Sequence, residues 1–253
     1  MNEDLVLLCH QGIGDFIGLV GAIRYLASRH RRLTLIVESR RLRNVELLFQ
    51  AVNNVDFFAF EVPERRLYAP LHNLPSISNF CVNKRVLAIG FHRHPRTSHA
   101  HCKHNQKLTD QFYCDLGLDT HIKHTWFELP ITANAERLLA LIGDTAFCFV
   151  HQQSSEKTMR IPTQDLSIFI VDPCENHYAA EDERHALAEQ FVGHPVVDYH
   201  MLIQRAQQIR VIDSCFACMA LRMPLKAEQK VYYSRFSQAA GDVDASWRVE
   251  RVV

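Results

Sequence analysis

The sequence has no excess charge of either sign: 28 lysines and arginines balance 28 aspartates and glutamates, for a formal net charge of zero. A broad basic surface for nucleic acid is therefore not expected. No apolar run approaches the roughly 20 residues that a membrane-spanning helix needs. The opening Met1-Asn2-Glu3-Asp4 lacks the basic stretch of a signal peptide. These absences lead to the expectation of a cytoplasmic protein with no transmembrane segment and no nucleic-acid partner. Cysteine is not scarce, at eight residues, but the cysteines are scattered rather than set in a short disulfide framework. Cys9 and Cys148 fall inside apolar runs, where cysteine behaves as a small buried hydrophobe. With 47% hydrophobic and 22% charged residues, the 253-residue chain reads as an ordinary globular protein, long enough for one large domain or two small ones.

The chain is organised around its first stretch. Leu5 to Cys9 is an unbroken apolar run, as in a strand buried on both faces. His10-Gln11-Gly12-Ile13-Gly14-Asp15 follows, with Gly12 and Gly14 marking a tight turn. Asp15 is placed to cap a helix carrying Phe16, Leu19, Val20, Ile23, Leu26 and Ala27 at helical spacing. The turn is not a dinucleotide fingerprint, since Ile17 occupies the place of the third glycine. Without a Gly-Lys-Ser/Thr ending it is not a P-loop. A glycine turn at the carboxyl end of a buried parallel strand is where open α/β sheets bind ligands. A purely structural turn with Asp15 as a cap is the competing reading.

Further strands are predicted at Leu33–Val37, Val55–Phe60 and Val86–Gly90, with a helix over Leu42–Val52 and another over Leu108–Leu116. Glu61 to Asn83, with three prolines, reads as irregular. The pattern restarts near Pro130. A helix at Thr132–Ile142 leads to strands at Ala146–Val150, Ser167–Val171, Val196–Val197, Arg210–Ile212 and Lys230–Tyr233. Helices are predicted at Ala180–Phe191, Met201–Ala206 and Cys215–Arg222. The expectation is an α/β protein of two Rossmann-like, doubly wound domains, 1–130 and 131–253, facing each other across a cleft.

Three polar stretches invite chemistry. Between Phe91 and His104 lie five histidines and Cys102, but their spacing repeats at i,i+2 and no second cluster partners them, so no metal site is assigned. After the strand at Ala146–Val150 come Gln152, Ser154, Ser155, Lys157 and Arg160, hydroxyl, amide and cationic donors suited to phosphate. A solvated loop would look the same. Asp213-Ser214-Cys215 begins a helix directly after a strand, and the first amides of such a helix attract anions. A plain N-cap is the alternative. Cys215 and Cys218 form a C-x-x-C pair without a second pair for zinc and without a thioredoxin-like context.

Gly12-Ile13-Gly14-Asp15, with the following Ala22-Ile23-Arg24, resembles the opening of heptosyltransferase-like glycosyltransferases of the GT-B fold. Leu202-Ile203-Gln204-Arg205-Ala206 followed by Val211-Ile212-Asp213-Ser214 resembles the late motif of that family, and Phe149-Val150-His151 to Arg160 resembles the donor-side loop of small proteins of this kind. Cys215 stands where the family has glycine, and the chain is shorter than a typical member. The resemblance implies a glycosyltransferase that uses a nucleotide-sugar as co-substrate and needs no other cofactor and no metal. The donor would bind the second domain and a glycan or lipid-linked acceptor the first. Asp15 would be the general base, with His10 as the next candidate. Gly12, Gly14, Gln152, Ser154, Ser155, Lys157, Arg160, Asp213, Ser214 and Cys215 would line the ligand sites. Two other classes stay open: a non-catalytic nucleotide- or sugar-binding protein on the same fold, and a metal or redox protein built on the histidine-rich stretch and Cys215/Cys218.

Overall fold

A computed structural model describes residues 3–61, 74–93, 108–154, 158–234 and 243–251. The chain divides into two compact units, Met1–Pro130 and Ile131–Val253.

The first unit runs β1 (Asp4–Leu8), α1 (Ile13–Gly18), α2 (Val20–Arg29), β2 (Arg32–Glu38), α3 (Leu42–Phe49), β3 (Val55–Phe60), α4 (Pro75–Cys81), β4 (Arg85–Ala88), α5 (Leu108–Asp115) and α6 (Ile122–Thr125). Its sheet has the order β3-β2-β1-β4, with every pair parallel. Central β1 buries Leu5 through Leu8, as its unbroken apolar run requires. The chain winds outward from β1 through β2 to β3, then returns to place β4 on the other side of β1. The winding therefore reverses between β1 and β4.

Three expectations for this unit are corrected. The helix after the glycine turn is broken into α1 and α2 at Leu19. At the break the buried hydroxyl of Tyr113 accepts from Ala22 N–H (3.1 Å) and donates to the carbonyl of Gly18 (3.2 Å). A side chain set into the backbone ladder ends regular helix at that turn. Gly12, not Asp15, is the N-cap of α1, and Asp15 stands at its third position. The proline-rich stretch after β3 contains α4, with Pro75 in its first turn, where the missing N–H costs nothing.

The second unit runs α7 (Ala133–Ile142), β5 (Phe147–His151), β6 (Phe169–Val171), α8 (His185–Glu189), α9 (His200–Arg205), β7 (Gln208–Ile212), α10 (Cys215–Ala220), β8 (Gln229–Ser234) and β9 (Arg248–Arg251). Thr132 caps α7 by accepting from Ala135 N–H at 2.9 Å, and its hydroxyl donates to the buried carboxylate of Asp198 at 2.5 Å. The sheet order is β6-β5-β7-β8-β9, again all parallel, so here the winding reverses between β5 and β7.

Here too the sequence pattern misleads in places. Val196–Tyr199 is a short 3-10 helix after Pro195, not a strand. The predicted helix over Ala180–Phe191 shrinks to α8 because Asp182 accepts from both the backbone N–H (2.8 Å) and the side chain of Arg184, a local turn that competes with helix. Strand β9 goes unforeseen because Arg248-Val249-Glu250-Arg251 is mostly charged, as suits an edge strand.

Candidate functional sites at the two winding reversals

In a parallel α/β sheet, the loops leaving the strands on either side of a reversal splay apart and leave a crevice. In the first unit, those loops are His10–Gly12 after β1 and Ile89–His92 after β4. They are zipped at their base by Ile89 N–H on the carbonyl of Leu8, at 3.1 Å. Gln11 fastens the β1 loop to the end of β2. Its amide donates to the carbonyls of Cys9 (2.8 Å) and Ile36 (3.1 Å), and its oxygen accepts from Glu38 N–H (2.9 Å). Gln11 is thereby a brace. Asp15 Oδ2 accepts from Gly12 N–H at 3.2 Å, which ties the carboxylate to the turn.

His10 lies over Gly90. A side chain on Gly90 would put Cβ 2.2 Å from His10 Nε2, and Gly90 has φ +57°, so the position favours glycine twice over. The His10 ring meets Phe112 edge-on at 4.7 Å and His92 at 5.8 Å between centroids. Gly90 N–H donates to Asp115 Oδ2 at 2.8 Å, and Gln111 donates to the other oxygen of that buried carboxylate at 3.0 Å. The β1 turn, the β4 loop and α5 thus gather Asp15, His10 and His92 at one end of the sheet. Of the histidine-rich stretch, His94, His99, His101, Cys102 and His104 lie outside the described residues.

In the second unit, the reversal lies between His151, the last residue of β5, and Asp213-Ser214 after β7. His151 is buried, and its Nδ1 lies 3.0 Å from Ser214 Oγ, which also accepts from Ala217 N–H at 3.4 Å as the N-cap of α10. Burial holds the imidazole neutral, with its pKa depressed to about 4 although the charge of Asp172 opposes the shift. Its ring packs on Phe216 at 4.5 Å. Burial also pushes the Cys215 thiol up to about 12, so no thiolate forms there near neutral pH.

The loop between β5 and β6 is anchored at both ends. Gln152 is buried. Its carbonyl accepts from Met159 N–H (2.8 Å), its side-chain oxygen from Ile161 N–H (3.1 Å), and its amide donates to Glu175. Arg210, on β7, donates to the Pro162 carbonyl (2.5 Å) and to both oxygens of Asp165 (2.8 Å each). Met159 and Ile161 point into the core, and Arg160 between them is exposed. Ser154 is described; Ser155 and Lys157 lie outside the described residues.

Among the described residues, one group of donors could hold a metal ion: Asp172, Glu175 and His177, just past β6. His177 Nε2 is 2.9 Å from Asp172 and 3.6 Å from Glu175, and its hydrogen bond to Asp172 raises its pKa. Sequence reasoning missed this group, His151 and Gly90. His151 had a usable signal, a polar residue ending an apolar strand. The partners of Gly90 are distant in sequence and left none.

No protein-family model matches the chain, and no curated protein matches it. Solved structures do. The chain is similar to a glycosyl transferase family 9 protein from Veillonella parvula, with a TM-score of 0.59 at 12% identity over 99% of this chain and 86% of that one. It is similar to ADP-heptose lps heptosyltransferase II of E. coli, with a TM-score of 0.52 at 11% identity over 99% and 91%. A third likeness is to E. coli heptosyltransferase WaaC, solved with ADP-2-deoxy-2-fluoro heptose, with a TM-score of 0.51 at 13% identity over 98% and 93%. Nearly the whole chain thus follows the path of heptosyltransferase structures, and its two parallel α/β units have the GT-B fold.

Proposed function

We propose that the protein is a glycosyltransferase, moving a sugar from a nucleotide-sugar donor to a hydroxyl of a glycan or lipid-linked acceptor. One observation supports this reading: His10 and Asp15 follow β1 in the first unit, and Asp213 and Ser214 follow β7 in the second, and each of these strands borders the place where the winding of its parallel sheet reverses. The first unit would bind the acceptor, with Asp15 as general base. The hydrogen bond from Gly12 N–H orients the Asp15 carboxylate beside the turn. As the bond to the anomeric carbon forms, Asp15 would take the acceptor hydroxyl proton. His10 is the second candidate. The donor would bind the second unit, with its diphosphate met by Ser154, Ser155, Lys157, Arg160 and the Asp213-Ser214-Cys215 turn. The charge developing on the leaving diphosphate would fall on these groups, with no metal needed.

A second reading has an observation of its own. Asp15 already serves the turn by holding Gly12 N–H, as it would in a protein that binds nucleotide or sugar without transferring it. Asp15→Asn separates the two. Asparagine keeps an oxygen for Gly12 N–H, but an amide is no base. If Asp15 is the base, the variant folds, keeps the thermal stabilisation given by a nucleoside diphosphate, and loses turnover by roughly 100- to 10,000-fold. Near-normal transfer by Asp15→Asn would remove the assignment and bring His10 forward. A wild-type protein that binds donor but neither transfers nor hydrolyses it would favour the binding protein.

A further inference from the structure

Helix α5 touches both loops of the first unit's crevice, at His10 and at Gly90, although nothing in its own sequence announces such a role. Phe112 backs the His10 ring at 4.7 Å. Asp115 holds the Gly90 amide at 2.8 Å. Tyr113, between them, is fully buried and reaches the break between α1 and α2. The hydrogen bond that would join the two helices runs from Ala22 N–H to Gly18 carbonyl. The Tyr113 hydroxyl takes both ends of it, at 3.1 Å and 3.2 Å. Room for this exists because residue 21 is glycine: a Cβ there would stand 3.0 Å from the Tyr113 oxygen and 2.5 Å from the carbonyl of Ile122.

We propose that Tyr113 is a positioning residue of this site: its hydroxyl, wedged into the helix ladder, ends α1 at Gly18 and so fixes the direction from which α1 presents Asp15. The inference rests on the glycosyltransferase reading for its catalytic consequence, though not for its structural one. Asp15 is the third residue of α1, and Leu19, where the ladder opens, is one helical turn further on. Without the wedge, Gly18 and Ala22 pair directly and α1 continues into α2 as one straight helix. Asp15 and its N-cap partner Gly12 then swing together with α1, away from the place the wedge gives them.

Tyr113→Phe removes the hydroxyl and keeps the ring. Two measurements on the full chain test the idea. Amide hydrogen exchange should show slower exchange at Ala22, as its N–H passes from the Tyr113 hydroxyl to the Gly18 carbonyl of a continuous helix. Transfer kinetics should show turnover lower by about 100-fold, the scale of a misplacement of about 1 Å, with the donor KM unchanged. A structural role alone would lower stability and leave the kinetics of the folded fraction as they were. Unchanged exchange at Ala22 overturns the proposal, whatever the kinetics. Changed exchange with unchanged turnover overturns the positioning of Asp15. If the wild-type protein transfers no sugar from any donor, the glycosyltransferase reading fails, and the exchange data still decide whether Tyr113 sets α1.

Discussion

His151 makes the stability of the second unit depend on pH in a way that can be worked out beforehand. The ring is buried, and its pKa falls from 6.5 to about 4 because burial penalises the charged form. The unfolded chain takes up a proton as pH falls through 6.5, while the folded unit resists until pH 4. Between those values the unfolded state binds more protons, so stability drops as pH falls. A difference of about 2.5 pKa units at 1.36 kcal/mol each corresponds to about 3 kcal/mol, present in full above pH 6.5 and lost by pH 4. His151→Asn keeps a polar atom near Ser214 and removes the titration. It also loses packing on Phe216, which should lower stability equally at every pH. His177, raised by Asp172, and His200, lowered by burial, titrate in both proteins and cancel in the difference. Urea denaturation at pH steps from 7.5 to 4.0, read by a second-unit probe such as Trp247, gives that difference directly. Wild type should lose about 3 kcal/mol more than His151→Asn across the range. Parallel curves would refute the claim that a buried, neutral His151 faces Ser214.

Gly90→Ala should cost about 1–2 kcal/mol for the left-handed backbone plus the collision with His10. In a His10→Ala background only the backbone part should remain, and equal losses in both backgrounds, from urea midpoints, would show that His10 does not sit on Gly90. Arg160→Ala should weaken the thermal stabilisation given by a nucleoside diphosphate by about 1.5–3 kcal/mol, the worth of a hydrogen bond to a charged group. Arg210→Met should weaken it comparably by freeing the loop that carries Arg160. A full shift in both variants would take that loop out of the donor site.

The α/β class and the central parallel strands were legible in the sequence because each rests on local pattern. Leu5–Leu8 and Phe147–Val150 are apolar runs too short for buried helices, and each ends in a polar turn. Strand order was not legible, since nothing in β4 or β7 says on which side of β1 or β5 it will pair. Yet the order places the reversals, and the reversals bring His10 to Gly90 and His151 to Ser214. The same limit hid the helix break. Residues 16 to 27 carry an unbroken helical pattern, and what interrupts them is a tyrosine 91 residues away from Ala22. Periodicity reports which face of an element is buried; it is silent on a hydroxyl that arrives from another element. Asp15 shows the reverse case. Its place beside the turn was readable, but whether its carboxylate faces a substrate depends on the direction of α1, and that direction is set by α5. The residues proposed to bear chemistry were therefore visible one at a time, and the residues proposed to aim them only in three dimensions.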